Sequence, residues 1–254
     1  MPREIEPPPR RAVPRTKKTV PVDRETLAAD RAALLARRPV SRETLERLDR
    51  YVGLLLDWQS KTNLVAPSTL GEIWTRHIDD SLQLHDLAPS PRPWCDMGSG
   101  AGFPGIVLAI AQAESPAGHV DLIESNDKKA AFLRAVIRET GINATVHASR
   151  IEDCGAVLAR AEAVSARALA SLDVLLGFVA GHIRPEIPCY FAKGGQHSEE
   201  IIDASRHWRF TLLKHASTTR EDAAILEVSA IARQDAASFP VEDQPAPAVI
   251  SMPK

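Results

Sequence analysis

The chain has no apolar run approaching the ~20 residues that a membrane-crossing helix needs, so no membrane partner is expected. Its Pro- and Arg-rich start lacks the apolar core of a secretory signal, and a cytoplasmic protein is the expectation. Cysteine is scarce: Cys95, Cys154 and Cys189 are an odd number without a C-x-x-C pair. That pattern predicts neither a disulfide framework nor a metal site, and the three read as small buried thiols in a reducing compartment. Charge of one sign is not in excess either, since 31 Lys and Arg face 33 Asp and Glu for a formal net charge of −2. A surface coated in basic residues is thereby disfavoured, while a local basic patch for phosphate backbone stays open. No internal repeat occurs. What is present is 254 residues, 44% hydrophobic and 25% charged, the composition of one sizeable globular domain with an appendage.

Residues 1–22 form a basic, Pro-rich arm carrying Arg3, Arg10, Arg11, Arg15, Lys17 and Lys18, read as a solvated tail with a nucleic-acid-seeking arm as the alternative. Residues 23–88 then read as a helical cap. Leu27 and Leu34-Leu35 mark a first helix stopped by Pro39, and Ser41 caps a second with Leu45, Leu48, Val52, Leu55 and Leu56 on one face. Beyond Asn63-Leu64-Val65-Ala66-Pro67, one more helix is predicted from Thr69 to Leu87. After the Pro-rich break at 89–93 the rhythm becomes short apolar runs alternating with amphipathic helices, which signals a parallel sheet with crossover helices. Strands are predicted near 94–97, 119–123, 144–147, 162–166 and 188–192, with helices near 104–113, 127–140, 153–160, 171–182 and 196–205. Runs at 208–214 and 223–230 predict a terminal antiparallel hairpin. The domain closes at 233, and 234–254 read as a Pro-rich tail.

The predicted first strand runs into Asp96-Met97-Gly98-Ser99-Gly100-Ala101-Gly102-Phe103-Pro104-Gly105 and then into a helix. So many glycines between strand and helix suit a backbone that must approach a ligand closely. Pro104 suits a first helical turn, where its missing N–H would be unpaired anyway. Residues 100–105 also satisfy G-x-G-x-x-G, so a dinucleotide must be weighed, and Glu124 at the end of the second strand suits ribose hydroxyls in either case. A helix N-terminal acid is the structural alternative for Glu124. Asp96 separates the two ligands. A carboxylate before the loop is awkward beside a pyrophosphate but suitable beside an amino group and a sulfonium, which favours S-adenosylmethionine over NAD.

Several further motifs occur in a fixed order: Asn63-Leu64-Val65, Arg76-His77-Ile78-Asp79-Asp80-Ser81, Gly102-Phe103-Pro104-Gly105, Ile123-Glu124-Ser125, Lys128-Lys129 with Phe132-Leu133, Arg150-Ile151-Glu152-Asp153, Ser165-Ala166-Arg167-Ala168 and Lys193-Gly194. With the glycine loop, they make residues 40–232 resemble the bacterial RsmG (GidB) family, which methylates N7 of a guanine in small-subunit ribosomal RNA. The resemblance implies an α/β, class I (Rossmann-like) methyltransferase fold, a seven-stranded doubly wound sheet with a terminal antiparallel hairpin and an N-terminal helical cap on the substrate side. It implies S-adenosylmethionine as cofactor, held at Gly98, Ser99, Gly100 and Glu124, at Ile151-Glu152 beside the adenine, and at Arg167 near the methionine end; Asp96 and Phe103 of the loop are further candidate cofactor contacts. The implied partner is 16S rRNA of the small ribosomal subunit, with guanine 527 as the family's target. The protein is expected to act as a monomer without a metal.

Read physically, Arg167 would emerge at the carboxyl edge of the fourth strand, where it would grip a cofactor carboxylate, an RNA phosphate or a structural acid. Guanine N7 carries an available lone pair, so positioning suffices and no base is required. No Asn-Pro-Pro-Tyr motif of amino-methylating enzymes occurs, and Pro188-Cys189 lies in the fifth strand, where Cys189 reads as a buried residue rather than a nucleophile. Arg167, Lys193 and His77 are the candidate catalytic residues, with His77 either touching the target base or tied to Asp79 or Asp80. Arg76, Lys128, Lys129, Arg134, Arg138 and Arg150 are the candidate phosphate grip. A small-molecule methyltransferase and a non-catalytic ribosome-binding protein remain the rival readings.

Overall fold

The computed structural model describes residues 22–234; apart from Val22 and Gln234, the expected arm and tail lie outside them. Seven strands form one sheet: β1 (Pro93–Met97), β2 (His119–Ile123), β3 (Ala144–His147), β4 (Ala163–Arg167), β5 (Cys189–Lys193), β6 (Trp208–Ala216) and β7 (Ala224–Arg233). Their order is β3-β2-β1-β4-β5-β7-β6, parallel through β5, with β7 antiparallel between β5 and β6. The chain winds outward from β1 to β3 and then returns to lay β4 on the other side of β1. That reversal opens a crevice at the carboxyl ends of β1 and β4, where ligands of such sheets bind.

Helices α4 (Gly105–Ala111) and α5 (Asp127–Thr140) cover one face together with the cap, while α6 (Gly155–Ala159), α7 (Leu172–Val179) and α8 (His197–Ala204) cover the other. The two-residue strand period sorts β1 accordingly: Trp94 joins the core under the cap, and Cys95 and Met97 join the opposite core. All three cysteines are buried and free. The cap comprises α1 (Arg24–Arg37), α2 (Arg42–Gln59) and α3 (Asp79–Leu87). Ser41 caps α2 as expected, its Oγ accepting from Thr44 N at 3.1 Å. Apolar burial glues α2 onto the domain, with Leu48, Tyr51, Val52 and Leu55 turned inward toward a core shared with Phe132 and Leu133 of α5.

The single helix expected over Thr69–Leu87 is corrected to three pieces: a 3-10 turn at Pro67–Glu72, a π-helical turn at Ile73–Ile78, and α3. The cause is Asp30 of α1, whose carboxylate accepts from the backbone N–H of Trp74 at 2.8 Å and of Thr75 at 3.3 Å. Satisfied from outside, those amides release the ladder behind them, and the chain restarts with a wider turn that carries Arg76 and His77. The helix expected to open at Phe103-Pro104 begins one residue later, at Gly105, with Pro104 as its cap residue.

Asp96, opposite Ser165 in the β1–β4 register, is fully buried. Its Oδ1 accepts from Ser165 Oγ at 2.7 Å and its Oδ2 from Gly105 N at 3.2 Å, while Ser165 Oγ accepts from Trp94 Nε1 at 2.9 Å. Burial pushes this carboxyl up to about 6, partly offset by its hydrogen bonds. Because the native state keeps the proton to higher pH than the unfolded chain, the contribution to stability is greatest below the ordinary carboxylate range and is lost as pH rises through about 6. Urea unfolding at pH 4 and pH 7 should therefore show the wild type losing roughly 2 kcal/mol relative to Asp96→Asn over that interval. A wild-type-to-variant difference that is the same at both pH values would contradict the assignment.

Candidate functional site

The glycine loop leaves β1 with Gly98, Gly100 and Gly102 at φ +66°, +57° and +96°, the left-handed region that L side chains avoid. Space is short as well at Gly98, where a Cβ would stand 2.6 Å from Leu169 Cδ1. Glu124 holds the loop from the β2 side: its Oε2 accepts from Gly100 N at 2.8 Å and its Oε1 from Asn126 N at 2.7 Å. Asn126 in turn caps α5, accepting from the N–H groups of Lys128 and Lys129. From the cap, the buried Tyr51 hydroxyl donates to Ala101 O at 2.7 Å. Ser99 Oγ donates to Asp96 O at 3.0 Å, and Ser99 N to Ile123 O at 3.0 Å.

Two cavities open on this loop. A slot of about 290 Å³ is walled by Ile151, Leu169 and Phe178 and edged by Glu124 and Glu152. A larger cavity of about 500 Å³ lies between the cap and the sheet's carboxyl edge, with Arg76, Arg167, Lys193 and Arg220 among its walls. The two share Gly98, Gly100, Lys129 and Ala168. A slot with one apolar wall and carboxylates among its polar groups suits an aromatic base and a sugar that donates hydroxyl hydrogens. Glu124 fits that task because each of its oxygens accepts one backbone bond and retains a second lone pair. Ala168, at the junction, has φ +51°, a strained conformation for a residue with a side chain.

Arg167 sits at the end of β4, with its side chain 17% exposed. Its guanidinium lies 5.4 Å from the Phe103 ring centroid, pairs with Asp80 Oδ2 at 3.4 Å, and donates to His77 Nδ1. A guanidinium is only a donor, so Nδ1 is the acceptor and the imidazole proton resides on Nε2. Nε2 then donates to Thr69 Oγ1 at 2.9 Å, and Thr69 Oγ1 donates to Ala66 O at 2.9 Å. The imidazole stacks on Phe103, with centroids 5.0 Å apart and planes inclined by 24°. Burial, then the charges of Arg167 and Arg76, push His77 down to about 3, so it is neutral at physiological pH.

These contacts revise several expectations. Asp96 lines neither cavity; both its oxygens are engaged inside the sheet, so it supports the loop from below rather than facing a ligand. His77 is tied to Arg167 and Thr69, not to Asp79 or Asp80, because Arg37 and Arg38 claim Asp79 while Arg167 and Thr219 claim Asp80. With both ring nitrogens occupied, His77 orients Arg167 and is no base. Lys193 reaches the cavity wall, yet its Nζ donates to Ala170 O at 2.6 Å and Glu200 Oε2 at 2.7 Å, which neutralises it. Gly98, Ser99, Gly100 and Phe103 line the larger cavity, and Glu124, Ile151 and Glu152 the slot. Of the six candidate phosphate contacts, Lys129 borders both cavities, Arg150 the slot and Arg76 the larger cavity. Lys128, Arg134 and Arg138 border neither; they project from the exposed face of α5. Cys189 is fully buried in β5, and burial pushes its thiol up, which disables it as a nucleophile. Sequence reasoning missed Tyr51, Asn126 and Arg220. An Asn two residues before a lysine pair is a legible cap, but Tyr51 within an apolar helix stripe and Arg220 in a hairpin loop carry no local signal.

Residues 44–227 match the family GidB, described as rRNA small subunit methyltransferase G. The chain is 50% identical over 201 residues to the ribosomal RNA small subunit methyltransferase G of Bradyrhizobium sp. (strain ORS 278), covering 79% of this chain and 90% of that one. It is 46% identical to the protein of the same description from Rhizobium meliloti (strain 1021), covering 77% and 93%. Among solved structures, an O-methyltransferase from Bacillus cereus in complex with SAH superposes with a TM-score of 0.52 at 15% identity, covering 81% of this chain and 99% of that one. A mutant of MtNAS in complex with S-adenosylmethionine gives 0.51 at 13% identity, covering 82% and 79%. These two carry the fold alone, and the fold is the α/β, Rossmann-like one expected. The family match over most of the chain makes this protein a member of the rRNA small subunit methyltransferase G (GidB) family.

Proposed function

We propose that the protein transfers the methyl group of S-adenosylmethionine to N7 of a guanine in 16S rRNA, guanine 527 in the family's scheme. The observation that carries this reading is the junction at Gly98, Gly100, Lys129 and Ala168, where a slot with the apolar wall Ile151, Leu169 and Phe178 and the carboxylates of Glu124 and Glu152 meets a larger cation-walled cavity. The slot fits an adenosine: Ile151, Leu169 and Phe178 would flank the base, and the spare lone pairs of Glu124 would accept from the ribose hydroxyls. Arg167 has five N–H groups, of which Asp80 and His77 occupy two, so others remain for the carboxylate at the amino-acid end. When bound, S-adenosylmethionine supplies an electrophilic methyl on a sulfonium.

The chain's own part is placement. The larger cavity admits a base that is presented in a loop or turned out of its stack. Guanine N7 has no proton to lose, so no side chain has to accept one, consistent with a neutral His77 whose two nitrogens are already bonded. Thr69, His77 and Asp80 fix Arg167, and Glu124 with Tyr51 fixes the loop, so little reorganisation is left for the reaction itself. Lys193, pinned by Glu200, and His77 act on this reading as positioning residues.

The decisive assay incubates the protein with methyl-labelled S-adenosylmethionine and small ribosomal subunits lacking the modification, then maps label by cleavage selective for N7-methylguanine. One labelled guanine is expected, with Arg167→Ala slower by roughly 10²-fold. Cofactor binding without label in RNA would move the function to a small-molecule methyltransferase or a non-catalytic binder. Gly98→Ala, strained by its φ and by Leu169, should weaken cofactor binding about tenfold in calorimetric titration; unchanged affinity would place the ligand elsewhere.

A further inference from the structure

Outside the two cavities already described, a cleft of about 740 Å³ separates the cap from the loop joining β6 and β7. Its walls are Arg37 of α1, Glu72, Thr75 and Arg76 of the 3-10 and π turns, and Thr219 and Arg220 of the hairpin loop, with Ala33 behind. Arg76 and Arg220 also line the larger cavity, so they form a common partition between cleft and cavity. The lining has three guanidinium groups, one carboxylate and no large apolar side chain. Such a wall has little to offer an aromatic base and much to offer anionic oxygens.

The three arginines are both held and available. Arg37 pairs with Asp79 at 2.7 Å, Arg76 with Glu72 at 3.4 Å and Arg220 with Asp222 at 2.6 Å, and their side chains are still 50%, 40% and 43% exposed. Asp79 is shared with Arg38, which Asp86 also pairs, and neither Asp79 nor Asp222 lines the cleft, so these two acids hold Arg37 and Arg220 from outside it and leave their remaining N–H groups to the exposed side. The contrast with Lys193 is one of burial: that side chain is 7% exposed and held by a half-buried acid, whereas these forks face solvent.

We infer that this cleft holds the ribose-phosphate backbone next to the guanine that enters the larger cavity, with Arg37, Arg76 and Arg220 on consecutive phosphates. The inference rests on the methyl-transfer reading above and adds a direction of approach: RNA arrives over the cap and hairpin loop, not along the exposed face of α5. Arg76 and Arg220, on the partition, would hold the phosphates flanking the inserted nucleotide, and Arg37 the next one outward. Base identity plays no part in these contacts, which position rather than specify.

The test measures binding of the full chain to unmodified small subunits across a range of salt concentrations, without methyl transfer. Each lost contact to a single-stranded phosphate should reduce the slope of log K against log salt by about 0.7. The triple variant Arg37→Gln, Arg76→Gln, Arg220→Gln is expected to lose about 2 from that slope, and the triple Lys variant to retain it, because charge rather than fold is removed. A Gln variant with the wild-type slope overturns the inference, as does a slope lost equally in the Lys variant. A triple Gln change at Lys128, Arg134 and Arg138 that removes about 2 in its place would move the RNA path to α5 and overturn it too. Because binding is read without chemistry, failure of the methyl-transfer reading registers separately, in the label assay.

Discussion

Two carboxylates grip the glycine loop from opposite sides. Asp96 takes the N–H of Gly105 from beneath, within the sheet, and Glu124 takes the N–H of Gly100 from the neighbouring strand. A loop that must bring bare backbone to a ligand cannot be held by packing of its own side chains, so its position has to come from hydrogen bonds made by others. The cost falls on Asp96, whose complete burial raises its proton affinity, and it is offset by Ser165 and Gly105 as donors. Tyr51 adds a third hold from the cap, so the loop, the sheet and the helical cap share one set of constraints.

The same reasoning governs Arg167. Burial disfavours its charge, and Asp80 restores it while Phe103 and His77 fix the plane of the fork. Asp80 also accepts from Thr219, and Gln83, one turn along α3, accepts from Thr218 N at 3.0 Å and donates to Ala216 O at 2.7 Å. Through these contacts the hairpin loop that carries Arg220 is set in register with the group at the centre of the larger cavity. A cap built by the first third of the chain and a loop from its last strands thus converge on one arginine.

The alternation of strands and helices was legible because it is written in hydrophobic period: all five parallel strands and the terminal hairpin fall where the apolar runs place them. The glycine loop and the strand-end residues Glu124 and Arg167 were legible for a related reason, since topology puts strand ends at the crevice. Hydrogen-bond partners were not. Asp96 reads as a ligand-facing acid until Ser165, 69 residues and three strands further along the chain, is seen to claim it. The π turn at Ile73–Ile78 depends on Asp30 in another helix, and the tautomer of His77 depends on Arg167, ninety residues distant. The basic face of α5 drew attention because its charges are clustered in sequence. The cleft of Arg37, Arg76 and Arg220 did not, because its charges meet only in the fold.

Replacing guanine by 7-deazaguanine in reconstituted small subunits removes the N7 lone pair and leaves the Watson–Crick edge and the phosphate backbone unchanged. Acceptance at N7 predicts that the protein binds such subunits as tightly as unsubstituted ones and transfers no label to them. Label persisting on the 7-deazaguanine subunits at the rate of the control would contradict transfer to N7 and require another acceptor atom.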